Sequence, residues 1–149
     1  MAVGRYVSDL ETGDVLEPVE YVMSPFIVRE YAHSVEEQSP VLAGDVPADE
    51  QLAPPTLVHI DKIRLLKRNC PGGRGPHARI HYEYHATHHD VVPVGERVVA
   101  SGRVAERYEK RGREYLRMEI ELRSAADGRL LTSYTDTAVL SFTPKEQHA

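Results

Sequence analysis

The chemically capable residues of this chain are its histidines, a pair of carboxylates and one proline-led helix start. His77, His81 and His85 recur at intervals of four in an alternating stretch, which places them on one face of a strand. At roughly 3.3 Å per residue, neighbours lie about 13 Å apart. Zinc–nitrogen bonds are about 2 Å, so no two of them share an ion, and a solvated strand face is the expectation. His88-His89-Asp90 is tighter, but adjacent strand residues point to opposite faces, which leaves a strand-end surface. No metal centre is expected. Glu36 and Glu37 end an amphipathic stretch, where acidic side chains oppose the helix dipole. That is a hint that a carboxylate is held there for another purpose. Ala53-Pro54-Pro55-Thr56-Leu57 opens a helix. Helix N-termini offer N–H groups that polarise a carbonyl and hold a developing oxyanion. Pro54 and Pro55 have none, so Thr56, Leu57 and Val58 are the first available donors. His59 follows in the same helix.

Positioning these groups falls to a few elements. Val15–Val22 reads as a strand placed at an edge by Pro18. Ser24-Pro25 starts a helix of about three turns, with Ile27, Val28, Tyr31, Ala32 and Val35 on its apolar face, ending by Ser39 ahead of Pro40. Val41–Leu52 reads as a long loop. A second helix runs from Ala53 to about Asn69, apolar around much of its girth but interleaved with Asp61, Lys62, Arg64, Lys67 and Arg68. From Pro76 the period changes to two. Ala78, Ile80, Tyr82, Tyr84 and Ala86 form the apolar face, opposite His77, Arg79, His81, Glu83 and His85. Strands Arg97–Glu109, Leu116–Leu122 and Leu130–Phe142 follow, joined by turns at Lys110-Arg111-Gly112-Arg113 and Asp127-Gly128. Long antiparallel strands with one apolar face need a cover, and the Ala53–Asn69 helix is the only element large enough. The fold class is therefore α+β, an antiparallel sheet wrapped around a central helix, in one domain spanning 1–149.

Composition narrows the function. The chain has 149 residues, 41% hydrophobic and 28% charged, with a net charge of −5. Such mild acidity gives no reason to expect nucleic acid or an anionic membrane as partner. Cys70 is the single cysteine, which rules out an internal disulfide or a cysteine-built zinc site. No apolar run reaches the ~20 residues that span a bilayer. The early charges Arg5, Asp9 and Glu11 break any signal-peptide core, so the expected location is cytoplasmic. There is no phosphate-binding glycine loop, nucleophile elbow or zinc-peptidase helix.

The order of elements, with Tyr31-Ala32, Ser39-Pro40-Val41, Ala53-Pro54-Pro55-Thr56, Val92-Pro93-Val94-Gly95-Glu96 and Lys110-Arg111-Gly112-Arg113-Glu114-Tyr115, resembles the MaoC-like acyl-thioester dehydratases and hydratases of the hot-dog fold. The subgroup like the dehydratase domain of fungal fatty acid synthase is the nearest in pattern. The resemblance implies a dimer of hot dogs, a homodimer or a heterodimer with another hot-dog subunit. It also implies a substrate carried on coenzyme A or acyl carrier protein, and no cofactor. Family members that hydrate use an Asp and a His in Gly-Asp-x-Asn-Pro-(aliphatic)-His. Alignment on Pro40 puts Glu37 at the Asp and Leu42 at the His. Hydration needs both a base and an acid, and leucine is neither. The resemblance therefore implies Glu37 as a catalytic candidate, with Leu42, Pro55, Thr56 and Leu57 at the substrate; His59, a turn into the second helix, is the candidate substitute for the missing imidazole.

Three activities fit this pattern. The first is an enoyl-thioester hydratase or 3-hydroxyacyl dehydratase with an altered Asp/His pair. The second, motivated by Leu42, is a non-catalytic subunit of a heteromeric dehydratase. The third is a hot-dog thioesterase using Asp61 or Glu37. One scaffold hosts all three, so only the site can choose among them.

Overall fold

A computed structural model describes residues 5–73 and 78–142 of the chain. His77 lies outside them. The chain forms strand β1 (Val15–Val22), helix α1 (Pro25–Ser34), short helix α2 (Pro40–Ala43), helix α3 (Asp61–Asn69) and strands β2 (Ala78–His88), β3 (Arg97–Lys110), β4 (Arg113–Ser124) and β5 (Leu130–Phe142). The five strands make one antiparallel sheet in the order β1-β3-β4-β5-β2. This is the expected α+β architecture, with α3 packed against the sheet at β1 and β3.

Local chemistry sets the boundaries. Ser24 caps α1, its hydroxyl accepting the Ile27 N–H at 3.2 Å, and Pro25 takes the first helical position. The helix stops earlier than expected, at Ser34. Glu36 adopts a left-handed φ of 55°, and the Glu37 N–H turns back to the Ala32 carbonyl. Val35, expected on the apolar face, is consequently exposed. Pro40 begins α2 in the stretch expected to be loop. Arg111 and Gly112, with φ of 52° and 74°, give the positive pair that a tight two-residue hairpin requires between β3 and β4. Pro18 coincides with an irregularity in the β1–β3 pairing, at the sheet edge where its missing N–H costs least.

The expected second helix has two parts. Pro55–Ile60 is 3-10 and only Asp61–Asn69 is α-helical. Tyr134 of β5 explains the change. Its hydroxyl accepts the Lys62 N–H at 3.0 Å and donates to the Val58 carbonyl at 3.4 Å. It thereby replaces the backbone bond that would continue an α-helix through this point. Leu57, Val58, Leu65 and Leu66 then fill the core against Leu16, Val98, Leu116, Ile120, Leu122 and Leu131. Ile63 faces out at 44% exposure while Asp61 and Lys62 are buried, the reverse of what hydropathy alone suggests.

α3 sits directly on the sheet at Gly102 of β3. A Cβ there would meet Leu65 Cδ1 at 3.2 Å and Ile120 Cγ1 at 3.3 Å. Gly102→Val should destabilise the fold by about 1–3 kcal/mol through overpacking. A lowered urea midpoint with unchanged m-value would show this, and an unchanged midpoint would mean that the helix is seated elsewhere.

Candidate functional site

The head of the central helix meets the middle of the sheet at a buried carboxylate. Asp136 is an inward residue of β5 with a side chain only 1% exposed. Its Oδ2 accepts a hydrogen bond from Lys62 Nζ at 2.8 Å and is hydrogen-bonded to His59 Nε2 at 3.1 Å. His81 Nδ1 lies 3.3 Å from the same oxygen. Tyr84 packs its ring on His59, centroids 4.3 Å apart, and Tyr134 meets both His59 and Tyr84 edge-on or tilted. Burial, and the Asp136 charge after it, raises the Tyr84 phenol pKa; burial and the charge of Asp61 raise that of Tyr134. Both hydroxyls therefore remain protonated donors. His59, His81 and Asp136 offer three ligand-type atoms within 4.8 Å of one another. The Lys62 ammonium already supplies the positive charge that a cation would bring to Asp136.

His81 reaches this cluster because β2 is not regular. His81 pairs with Ala138 but Glu83 pairs with Thr137, so the strand carries an extra residue at Tyr82. The face changes there. Tyr84 and Ala86 pack on the core and His81 reaches Asp136 from its rim, whereas Ile80 and Tyr82 are 40% and 53% exposed. The alternation expected from sequence thus holds only beyond the bulge. His85 remains on the solvated face, paired with Glu83 at 2.8 Å. His88 faces Thr132 and His89 bonds Ser133 along the strand end.

The other expected residues surround a second region. Leu42 and Pro55 line a cleft of about 340 Å³ with Leu52, Val58, Val92 and Thr132. The Thr56 hydroxyl is hydrogen-bonded to that of Tyr31 at 2.6 Å, and the residue is exposed. Leu57 donates its N–H to the Pro54 carbonyl at 3.0 Å and buries its side chain. Of the amides expected at the helix head, that of Thr56 precedes this first 3-10 bond. Glu37 is half-buried, and its carboxylate accepts the Ser39 N–H at 2.9 Å. His59 is the residue among these that the fold brings to the buried charge centre. Asp136, Lys62, His81 and Tyr84 are its companions there. A charged residue on the inward period of β5, among Tyr134, Ala138 and Leu140, was the available signal for Asp136.

Asp61, one helical residue from Lys62, is fully buried. Its Oδ1 accepts the Tyr21 hydroxyl at 2.7 Å, Arg64 Nε stands 3.9 Å away, and Oδ2 has no partner among the described residues. Burial raises its pKa to about 6, outweighing the lowering effects of Tyr21 and Arg64. The folded state therefore binds this proton more tightly than the unfolded chain, and stability falls as pH rises from about 4 to about 6. Asp61→Asn keeps the acceptor for Tyr21 and removes the charge. Relative to wild type it should gain roughly 3 kcal/mol at pH 7 and nothing near pH 3.5. Denaturant melts at both pH values check this, and a variant less stable at pH 7 would contradict it.

The structure resembles several solved proteins at low sequence identity. The Archaeoglobus fulgidus monoamine oxidase regulatory protein matches with a TM-score of 0.74 and 16% identity, over 97% of this chain and 99% of that one. The HadBC (3R-hydroxyacyl-ACP dehydratase) complex from Mycobacterium tuberculosis gives 0.70 and 19%, over 86% and 96%. R-hydratase PhaJ1 from Pseudomonas aeruginosa gives 0.69 and 16%, over 91% and 85%. Comparison with curated protein sequences finds no match. The family model for the FAS1-like dehydratase domain region matches residues 11–132. A family match over most of the sequence settles the family, and the structural likenesses settle the fold: the chain belongs to the family of the FAS1-like dehydratase domain region and has the hot-dog fold.

Proposed function

We propose that this chain binds acyl thioesters and acts as an enoyl-thioester hydratase or 3-hydroxyacyl dehydratase in which His59 is the principal acid/base group. The observation that carries the reading is the His59 imidazole, part-exposed at the head of the central helix and hydrogen-bonded behind to buried Asp136. A carboxylate behind an imidazole fixes its tautomer and orientation and favours the protonated ring formed when it takes a proton. The Thr56 amide, three residues earlier, supports polarisation of the thioester carbonyl. The apolar cleft at Leu42 and Pro55 suits the acyl chain. Leu57 contributes to this site as packing beneath Thr56. The carrier is coenzyme A or acyl carrier protein, and the working unit is a dimer with a second copy or another hot-dog subunit.

Glu37 stands at the position of the family's carboxylate, and its engagement with the Ser39 amide favours a capping role. This, with Leu42 forming an apolar wall, supports a second reading, in which the chain shapes the acyl tunnel for a catalytic hot-dog partner. Asp61 is fully buried and bound to Tyr21, which argues against the thioesterase alternative.

Loss of the crotonyl-thioester absorbance, measured with coenzyme A and carrier-protein esters, tests the proposal. His59→Gln should lower kcat/KM by about 10²–10⁴-fold. Glu37→Gln, which can still accept the Ser39 N–H, should stay within about tenfold, below the ~10²-fold that removing an acid or base costs at the least. A normal rate in His59→Gln would overturn the assignment. Activity seen only with a co-purifying hot-dog subunit, and insensitive to His59, would favour the second reading.

A further inference from the structure

Adding water to an enoyl thioester needs a proton acceptor for the water and a proton donor for the α-carbon, and Leu42 removes the family's imidazole. We propose that His81 is the second half of the pair: His59 and His81, gathered on one oxygen of Asp136, donate and accept protons at adjacent carbons of the acyl group, with Asp136 and Lys62 as positioning residues. This rests on the hydratase/dehydratase reading above and extends it to residues that lie outside the family motif.

Accessibility divides the roles. The His59 and His81 side chains are 36% and 46% exposed, so both can meet a substrate. Asp136 and Lys62, at 1% and 8%, cannot. The two rings lie 5.3 Å apart, centroid to centroid, close to edge-on. That spacing suits groups that serve neighbouring atoms of one substrate. They come from different elements, the helix head and β2, and converge only because of the bulge at Tyr82. The remaining groups of the cluster are Tyr84 from β2, Tyr134 from β5 and the more distant Asp61 from α3. The Tyr84 hydroxyl is buried without a hydrogen-bond partner among the described residues.

The step balances without a cofactor. In hydration, His81 takes a proton from water as the water oxygen bonds to the β-carbon. The π electrons move towards the α-carbon and thioester oxygen, near Thr56. His59 then delivers its proton to the α-carbon. Elimination is the reverse: His59 removes the α-proton, His81 protonates the departing hydroxyl, and water leaves. Asp136 and Lys62 cancel each other's charge, so the cluster carries one imidazolium before and after. Solvent returns the proton from one exposed ring to the other. Assignment of His59 to the α-carbon follows from its place three residues after Thr56, where the carbonyl is expected.

The test is the pH profile of crotonyl-thioester hydration by the chain together with any hot-dog subunit that co-purifies. Wild type should give a bell. Its two limbs belong to the coupled pair. His81→Gln should lose the acid limb and His59→Gln the alkaline limb, each with kcat/KM down about 10²–10⁴-fold. Both side chains are part-exposed, so the variants should melt near wild type, and His85→Gln serves as a control at wild-type rate. Asp136→Asn, if it folds, should lower kcat more than it changes KM. A wild-type enzyme whose His81→Gln variant keeps its rate and its bell would overturn this inference and leave the reading above intact. A wild type that hydrates neither ester would overturn both.

Discussion

The structure depends on a buried ion pair between the central helix and the sheet that wraps it. Lys62 and Asp136 meet at 2.8 Å with almost no solvent contact. Desolvating two charges is expensive, and removing one partner from such a pair typically costs about 3–5 kcal/mol. Apolar residues of similar volume would hold helix and sheet together at least as well. A stability argument alone therefore does not account for the pair. What it does is fix a carboxylate oxygen where two imidazoles reach it.

The same contact explains the shape of the helix. Tyr134, two residues before Asp136 on β5, takes the Lys62 amide and interrupts the α-helical ladder. The chain before it tightens into a 3-10 turn that carries Pro55, Thr56 and His59. One stretch of β5 thus sets the register of the helix, buries its only inward lysine and orients His59. Packing of Leu65 on Gly102 holds the far end. Between these anchors the helix has no freedom to slide without breaking either a charge pair or a close contact.

Sequence patterns made the fold legible because most elements obey local rules. The strands Val15–Val22 and Leu130–Phe142 fall where alternation places them, and Pro25 and Gly112 act as their backbone preferences require. His59 was legible as a candidate because it follows a helix start with few free amides. The rest of the cluster was hidden for two physical reasons. A single extra residue in β2 turns His81 inward, and no period-two reading can register a bulge that tertiary pairing creates. Lys62 looks like an ordinary surface charge, since its burial depends on a contact 74 residues away in sequence, and Asp136 shows only as a charge on an otherwise apolar inward period of β5, with no sign of its partner. The end of α1 falls before the Ser39 limit set by Pro40, at a point no local rule marks: Glu36 accepts a left-handed conformation that its residue type disfavours, so that the chain can turn towards α2.

The proposed thioester site lies at the head of the central helix, with the two imidazoles behind it. A crystal structure with a non-hydrolysable acyl-thioester analogue addresses this directly. The expected result is the carbonyl oxygen about 2.7–3.1 Å from the Thr56 amide, the α- and β-carbons against His59 and His81, and the acyl chain running past Leu42. An analogue bound away from both imidazoles would contradict it.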